Sequence, residues 1–152
     1  MIAFVAGMGL AAVLGLRGAD RALLAALDRA GFAWDPPVAV AVLTGGLTAG
    51  IMAWAGAQAA ALAGEGVRWI AGAVVAAALL RFAIPRRPVV LREPTRSVFA
   101  FGLVLAMLQI ADATRLAVFA LAALTREPLL AACGAFLGAP IALGRSAPEE
   151  RR

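Results

Sequence analysis

Two short stretches place ionisable groups where the chain is otherwise apolar. Gln109-Ile110-Ala111-Asp112-Ala113-Thr114-Arg115 lies inside an apolar run over residues 98–124. Arg17-Gly18-Ala19-Asp20-Arg21-Ala22 lies inside another over residues 2–27. In a helix, Arg17 and Asp20 are i, i+3, as are Asp112 and Arg115, so each pair shares a face. Two chemistries are open to such clusters. Asp20, Asp112, Gln109 and Thr114 offer oxygen atoms to a hard cation. Arg17, Arg21 and Arg115 offer guanidinium groups that neutralise the same aspartates. Three arginines against two aspartates leave the clusters net positive, and pairing is the usual state of charge inside a membrane.

Composition says where these clusters sit. The 152 residues are 63% hydrophobic and 15% charged, with a mean hydropathy of +0.91. A soluble domain is about 45–50% apolar and about 25% charged. Because the excess is spread over several runs, the expectation is an integral membrane protein embedded in the lipid bilayer. All 14 basic residues are arginine, and Lys, His, Asn and Tyr are absent, a GC-rich coding bias that points to a bacterial source. The net charge of +5 carries no nucleic-acid signal, since the arginines flank apolar segments, where they set topology. With no His and only Cys133, the usual zinc sites are excluded. No grouping of residues points to an enzyme.

The elements follow from the runs and their punctuation. No basic residue precedes the apolar stretch 2–16, so it reads as part of a retained helix and not as a signal peptide. As a helix it reaches only about 22 Å, and continuing to Leu27 makes a span with the charged cluster inside it. Asp35-Pro36-Pro37 starts a second helix over residues 37–63, broken in composition only by Thr44, Thr48 and Gln58. Gly64-Glu65-Gly66 turns the chain into a third helix over 67–84. Residues 85–96 form a linker with three prolines and four arginines, and Arg81 joins the same basic cluster. A fourth, continuous helix is expected over 98–124, a turn at Thr125-Arg126-Glu127-Pro128, a fifth helix over 129–144, and a polar tail over 145–152. The positive-inside rule places the linker in the cytoplasm of a bacterial inner membrane, the N-terminus outside and the C-terminus inside. Trp34 and Trp69 fall near span ends, as interface anchors do.

An internal repeat relates the halves at an offset of 92 (112 − 20). Asp20 maps to Asp112, Asp35-Pro36 to Glu127-Pro128, and Gly46 to Gly138. The first repeat, residues 1–84, holds three spans, so the second copy, residues 97–144, enters the membrane inverted, as in many transporters. Its third helix is missing, and a homo-oligomer would complete it. Both Gly46–Gly50 and Gly134–Gly138 are G-x-x-x-G, a spacing that lets helices approach closely. The expected fold is therefore an all-α polytopic membrane protein of about five transmembrane helices in two inverted three-helix repeats, the second truncated.

Mid-helix aspartates in two inverted repeats resemble the Golgi-type manganese/calcium–proton exchanger family, whose repeats each carry E-x-G-D-[KR]-[ST]. Gln109-Ile110-Ala111-Asp112-Ala113-Thr114 is similar at the Asp and the Thr, and Arg17-Gly18-Ala19-Asp20-Arg21-Ala22 at the Asp and the basic residue. The resemblance implies Asp20 and Asp112 as site acids, Gln109 and Thr114 as auxiliary donors, and manganese or calcium as the transported ion. The family's two glutamates are replaced here by Gln109 and Arg17. The implied function is an exchanger with a degenerate or lost ion site. The alternative is a non-transporting assembly or scaffold protein with pairs such as Asp20–Arg115 and Asp112–Arg17.

Overall fold

The computed structural model describes residues 1–15, 35–84 and 98–144. Asp20, Arg17, Arg21, Trp34, the 85–96 linker and the 145–152 tail lie outside the described residues. Among the described residues the chain is helical, without strands: α1 (Ile2–Gly15), α2 (Asp35–Ala63), a 3-10 turn (Gly64–Gly66), α3 (Val67–Ala83), α4 (Val98–Ile110), α5 (Ala113–Thr125) and α6 (Pro128–Gly144). The boundaries of α2, α3 and α6 fall within two residues of those read from the composition.

The continuous fourth helix needs correction. It is two helices, α4 and α5, bent by 58° at a break over Ala111 and Asp112. The Asp112 N–H donates to the Gln109 carbonyl at 2.9 Å, closing α4 with a tight turn. Asp112 then takes an extended backbone (φ −77°, ψ 149°), and its carbonyl accepts from Leu116 N–H at 3.1 Å to start α5. An aspartate directly before a helical run is a common N-cap, so the residue that looked like a charge inside a helix is the start of one.

The long α2 lies alongside both halves of the broken helix. Gly102 of α4 sits against Val40 and Thr44, and Gly56 is backed by Phe119 and Ala123 of α5. Position advances along both partners together, so α2 runs parallel to the α4–α5 pair. The chain reverses after α2. Thr48 and Arg81, 33 residues apart, would be separated by about 50 Å on one straight helix. Instead both bond within the segment from Gln109 to Arg115. Gly64, at φ +54°, supplies the backbone conformation for that reversal, one that costs a residue with a Cβ more. α5 packs against both α2 and α3 and also touches α1, α4 and α6, making it the centre of the structure.

Among the described residues, α1 and α6 make the most extensive helix pair. Phe4 and Met8 face Gly134, and Met8 and Ala12 face Gly138, so these helices too are parallel. The terminal amino group of Met1 lies 3.9 Å from Glu127 Oε2 at the same end. The glycine motifs play unequal parts. Gly134 and Gly138 meet the α1 backbone, and Gly46 meets the Phe136 ring, but Gly50 has nothing near it.

The packing is inside-out by the standard of a water-soluble protein. Of the seventeen buried apolar residues among those described, fifteen are alanine, the others being Leu105 and Val118. Large apolar side chains such as Leu43, Leu47, Trp54, Leu79, Phe99 and Met107 point outwards, with Trp69 85% exposed. In water, burying such side chains would be worth about 1.5–3 kcal/mol each. In lipid that force between helices is absent and small residues at the contacts govern association. Among the described residues, the helical stretch Ala39–Ala83, with the reversal at Gly64–Gly66 inside it, is by length and composition long and apolar enough to cross a membrane, and the bent pair over Gly102–Thr125 meets the same measure if taken as one span.

The glycine contacts make a testable contrast. Gly134→Val places a branched side chain into the Phe4 carbonyl and should destabilise the folded chain by about 1–3 kcal/mol, the usual range for overpacking. Gly50→Ala meets open space and should leave stability unchanged or raise it slightly. Thermal unfolding in detergent micelles measures both; equal losses would mean that the α1–α6 contact does not hold the fold.

Candidate functional site at the helix break

The break sets polar groups deep in an apolar structure. Asp112 and Arg115 are each 5% exposed, Thr114 2% and Gln109 0%. The first turn of α5 begins here, and the first amides of a helix have no partner within it. The Asp112 side chain forms no capping bond to them. The Ala111 carbonyl, left by the interruption, accepts from Arg81 Nε at 3.2 Å. Arg81 stands near the C-terminal end of α3, so α3 ties down one side of the break.

α2 ties down the other side. Arg115 Nε donates to Thr48 Oγ1 at 3.1 Å. The Thr48 hydroxyl has Gln109 Oε1 at 3.2 Å, the Thr44 carbonyl at 2.8 Å and the Gly45 carbonyl at 3.2 Å as acceptors for its single proton. Gln109 Nε2 donates to the Ala41 carbonyl at 3.4 Å. Thr48 thus bridges the last turn of α4 and the first turn of α5. Gly45 makes the room: a Cβ there would stand 2.8 Å from Arg115 Nη2. A guanidinium is planar and forked, so it can lie close over an α2 backbone that carries no side chain at this point.

The sequence-derived site residues divide accordingly. Gln109, Asp112, Thr114 and Arg115 lie on the three turns around the break. Gln109 is engaged with Thr48 and Ala41. Thr114 Oγ1 is buried and has no hydrogen-bond partner among the described residues. Among the described residues there is no group of three or more His, Cys, Asp or Glu side chains placed to share a metal ion. The expected pairs Asp20–Arg115 and Asp112–Arg17 each include a residue outside the described part, as do Asp20 as a ligand and Arg21 as its neighbour.

Two contributors escaped the sequence reading. Thr48 counted only as an interruption of an apolar run, although Thr44 and Thr48 at i, i+4 already marked a polar stripe on α2. Arg81 counted as the first of the topology-setting arginines, and no feature of the sequence sets it apart from them.

Compared with known protein families, curated proteins and solved structures, the chain matches none.

Thr48→Val should cost about 1–3 kcal/mol, because it removes the buried bonds from Thr48 to both Gln109 and Arg115. Thr44→Val should cost less, since among the described residues the Thr44 hydroxyl bonds only carbonyls of its own helix, Val40 at 2.8 Å and Ala41 at 3.3 Å. Unfolding midpoints of the two variants, measured side by side, check the order; a larger loss for Thr44→Val would contradict this bonding scheme.

Proposed function

We propose that this chain is a multi-pass membrane protein built on an inverted-repeat exchanger plan, in which a protein cation, the Arg115 guanidinium, has taken the place of a transported metal ion. The observation that carries the reading is the burial of Arg115 at the helix break, bonded to Thr48 beside Gln109. A divalent cation prefers several oxygen ligands, carboxylates among them. Next to Asp112 a fixed guanidinium competes for the same carboxylate and repels the metal. The protein then serves as a non-transporting membrane component, and its polar break acts as a structural joint.

Three features support the transporter ancestry. Broken helices with polar groups at the interruption are how many transporters build a binding site within lipid. The outward-facing large side chains suit a lipid surroundings. The helix pairs also follow the 92-residue offset. Gly7 against Ala131 and Ala135 maps to position 99 against 39 and 43, and Gly102 packs against Val40 and Thr44. The correspondence is within one helical turn, and both pairs are parallel.

The plan puts the arginine-rich linker in the cytoplasm of a bacterial inner membrane. In proteoliposomes under a proton gradient, the unmodified chain should take up neither manganese nor calcium. Gradient-driven uptake, abolished in Asp112→Asn at unchanged folded yield, would overturn the proposal and restore the ion site to Asp112.

A further inference from the structure

Arg81 is the second cation at the break, and it faces outwards. It stands in the last turn of α3 and is exposed, whereas Arg115 is buried. Its Nε donates to the Ala111 carbonyl at 3.2 Å, which fixes the guanidinium against the break. Both Nη groups are left to other acceptors, and no ion pair joins Arg81 to a carboxylate among the described residues. Their carboxylates are placed elsewhere. Asp112 is buried. Glu65 precedes the whole of α3, about 25 Å of helix away. Glu127 lies beyond the far end of α5, and Asp35 begins α2 thirteen residues before Thr48, each about 20 Å of helix from the break.

The length of α3 decides what can reach this charge from outside. Its 17 residues make about 25 Å of helix, less than the roughly 30 Å of a bilayer's hydrocarbon core. A span that is too short draws the headgroups inwards at its end. Leu80 and Ile84, both exposed, flank Arg81 with apolar surface that suits acyl chains. The chain that follows α3 carries four more arginines against Glu93 as far as residue 96, so positive charge continues in the sequence from this end. We propose that Arg81 holds the phosphate of an anionic phospholipid from the leaflet that meets the end of α3. This rests on the reading of the chain as a membrane protein. A guanidinium is a planar fork that takes two phosphate oxygens at once, and here its Nε is already anchored, so the Nη edge is the one presented. A lipid with net negative charge supplies the missing counter-ion; a zwitterionic one brings its own cation.

The test uses the purified chain in dodecyl maltoside micelles. Melting temperatures are followed while dioctanoyl phosphatidylglycerol, dioctanoyl phosphatidylcholine or inorganic phosphate is titrated in. Phosphatidylglycerol should raise Tm saturably, as binding to the native state requires; phosphatidylcholine and free phosphate should not. Arg81→Gln, at an exposed position, should lose most of the rise. Arg81→Lys keeps the charge without the fork and should need more lipid for half-saturation. Arg92→Gln, which removes the same charge from the linker, should keep the whole rise. An equal rise with phosphatidylcholine or with phosphate would overturn the proposal. So would an unchanged titration in both Arg81 variants, or an equal loss in Arg92→Gln, which would mean diffuse attraction to the linker. A separate arm tests the reading beneath. Reconstituted in phosphatidylcholine vesicles, the chain should resist carbonate extraction. Release by carbonate would reject the membrane reading and this site with it, whereas retention without a phosphatidylglycerol-specific rise would reject the site alone.

Discussion

A guanidinium buried at an interrupted helix has to be held by something, and the described structure is organised around doing so. Arg115 lies in the first turn of α5, where the backbone has just left α4 and restarted. Its Nε is bonded by Thr48, and the same hydroxyl reaches the Gln109 amide on the far side of the interruption. One side chain of α2 therefore joins the two halves of a bent rod. Arg81 of α3 does the complementary work on the Ala111 carbonyl. Removing charge from water is costly, and the cost is offset only when geometry and further hydrogen bonds are good. That requirement explains why α5 is central and why the helices on both of its sides contribute polar groups at the same level.

The rest of the packing has one pattern, small residues inside and large apolar residues outside. Alanine and glycine line the helix contacts, so backbones come close, as at Gly56 against Phe119 and Gly134 against Phe4. The large apolar residues face outwards, an arrangement that suits the proposed lipid surroundings. Such an interior has little capacity to adapt: few bulky side chains are available to rearrange, and polar groups are concentrated at one break. The energetics of the break and of the fold are thus closely linked.

Much of the architecture was legible in the composition. The apolar runs and their Gly and Pro punctuation gave α2, the Gly64–Gly66 turn, α3 and α6 nearly to the residue. Hydropathy is blind to an interruption that keeps the chain apolar, and no Gly or Pro marks Ala111 or Asp112, so the break in the fourth helix went unread. Its one signal was Asp112 itself, which suits an N-cap as well as a mid-helix site. The cluster Gln109, Asp112, Thr114 and Arg115 was legible because polar residues in an apolar run are few. Thr48 was not, because its importance arises from which face of α2 meets the break, a tertiary fact 61 residues removed from Gln109.

Thr48 and Arg115 are bonded across the break, and that bond should join them energetically. A double-mutant cycle with Thr48→Val and Arg115→Met, read as unfolding free energy in micelles, measures that coupling directly. A non-additive term of about 0.5–3 kcal/mol is expected, with the double variant less damaged than the sum of the singles. Losses that add to within about 0.3–0.5 kcal/mol, as for sites that do not touch, would contradict it.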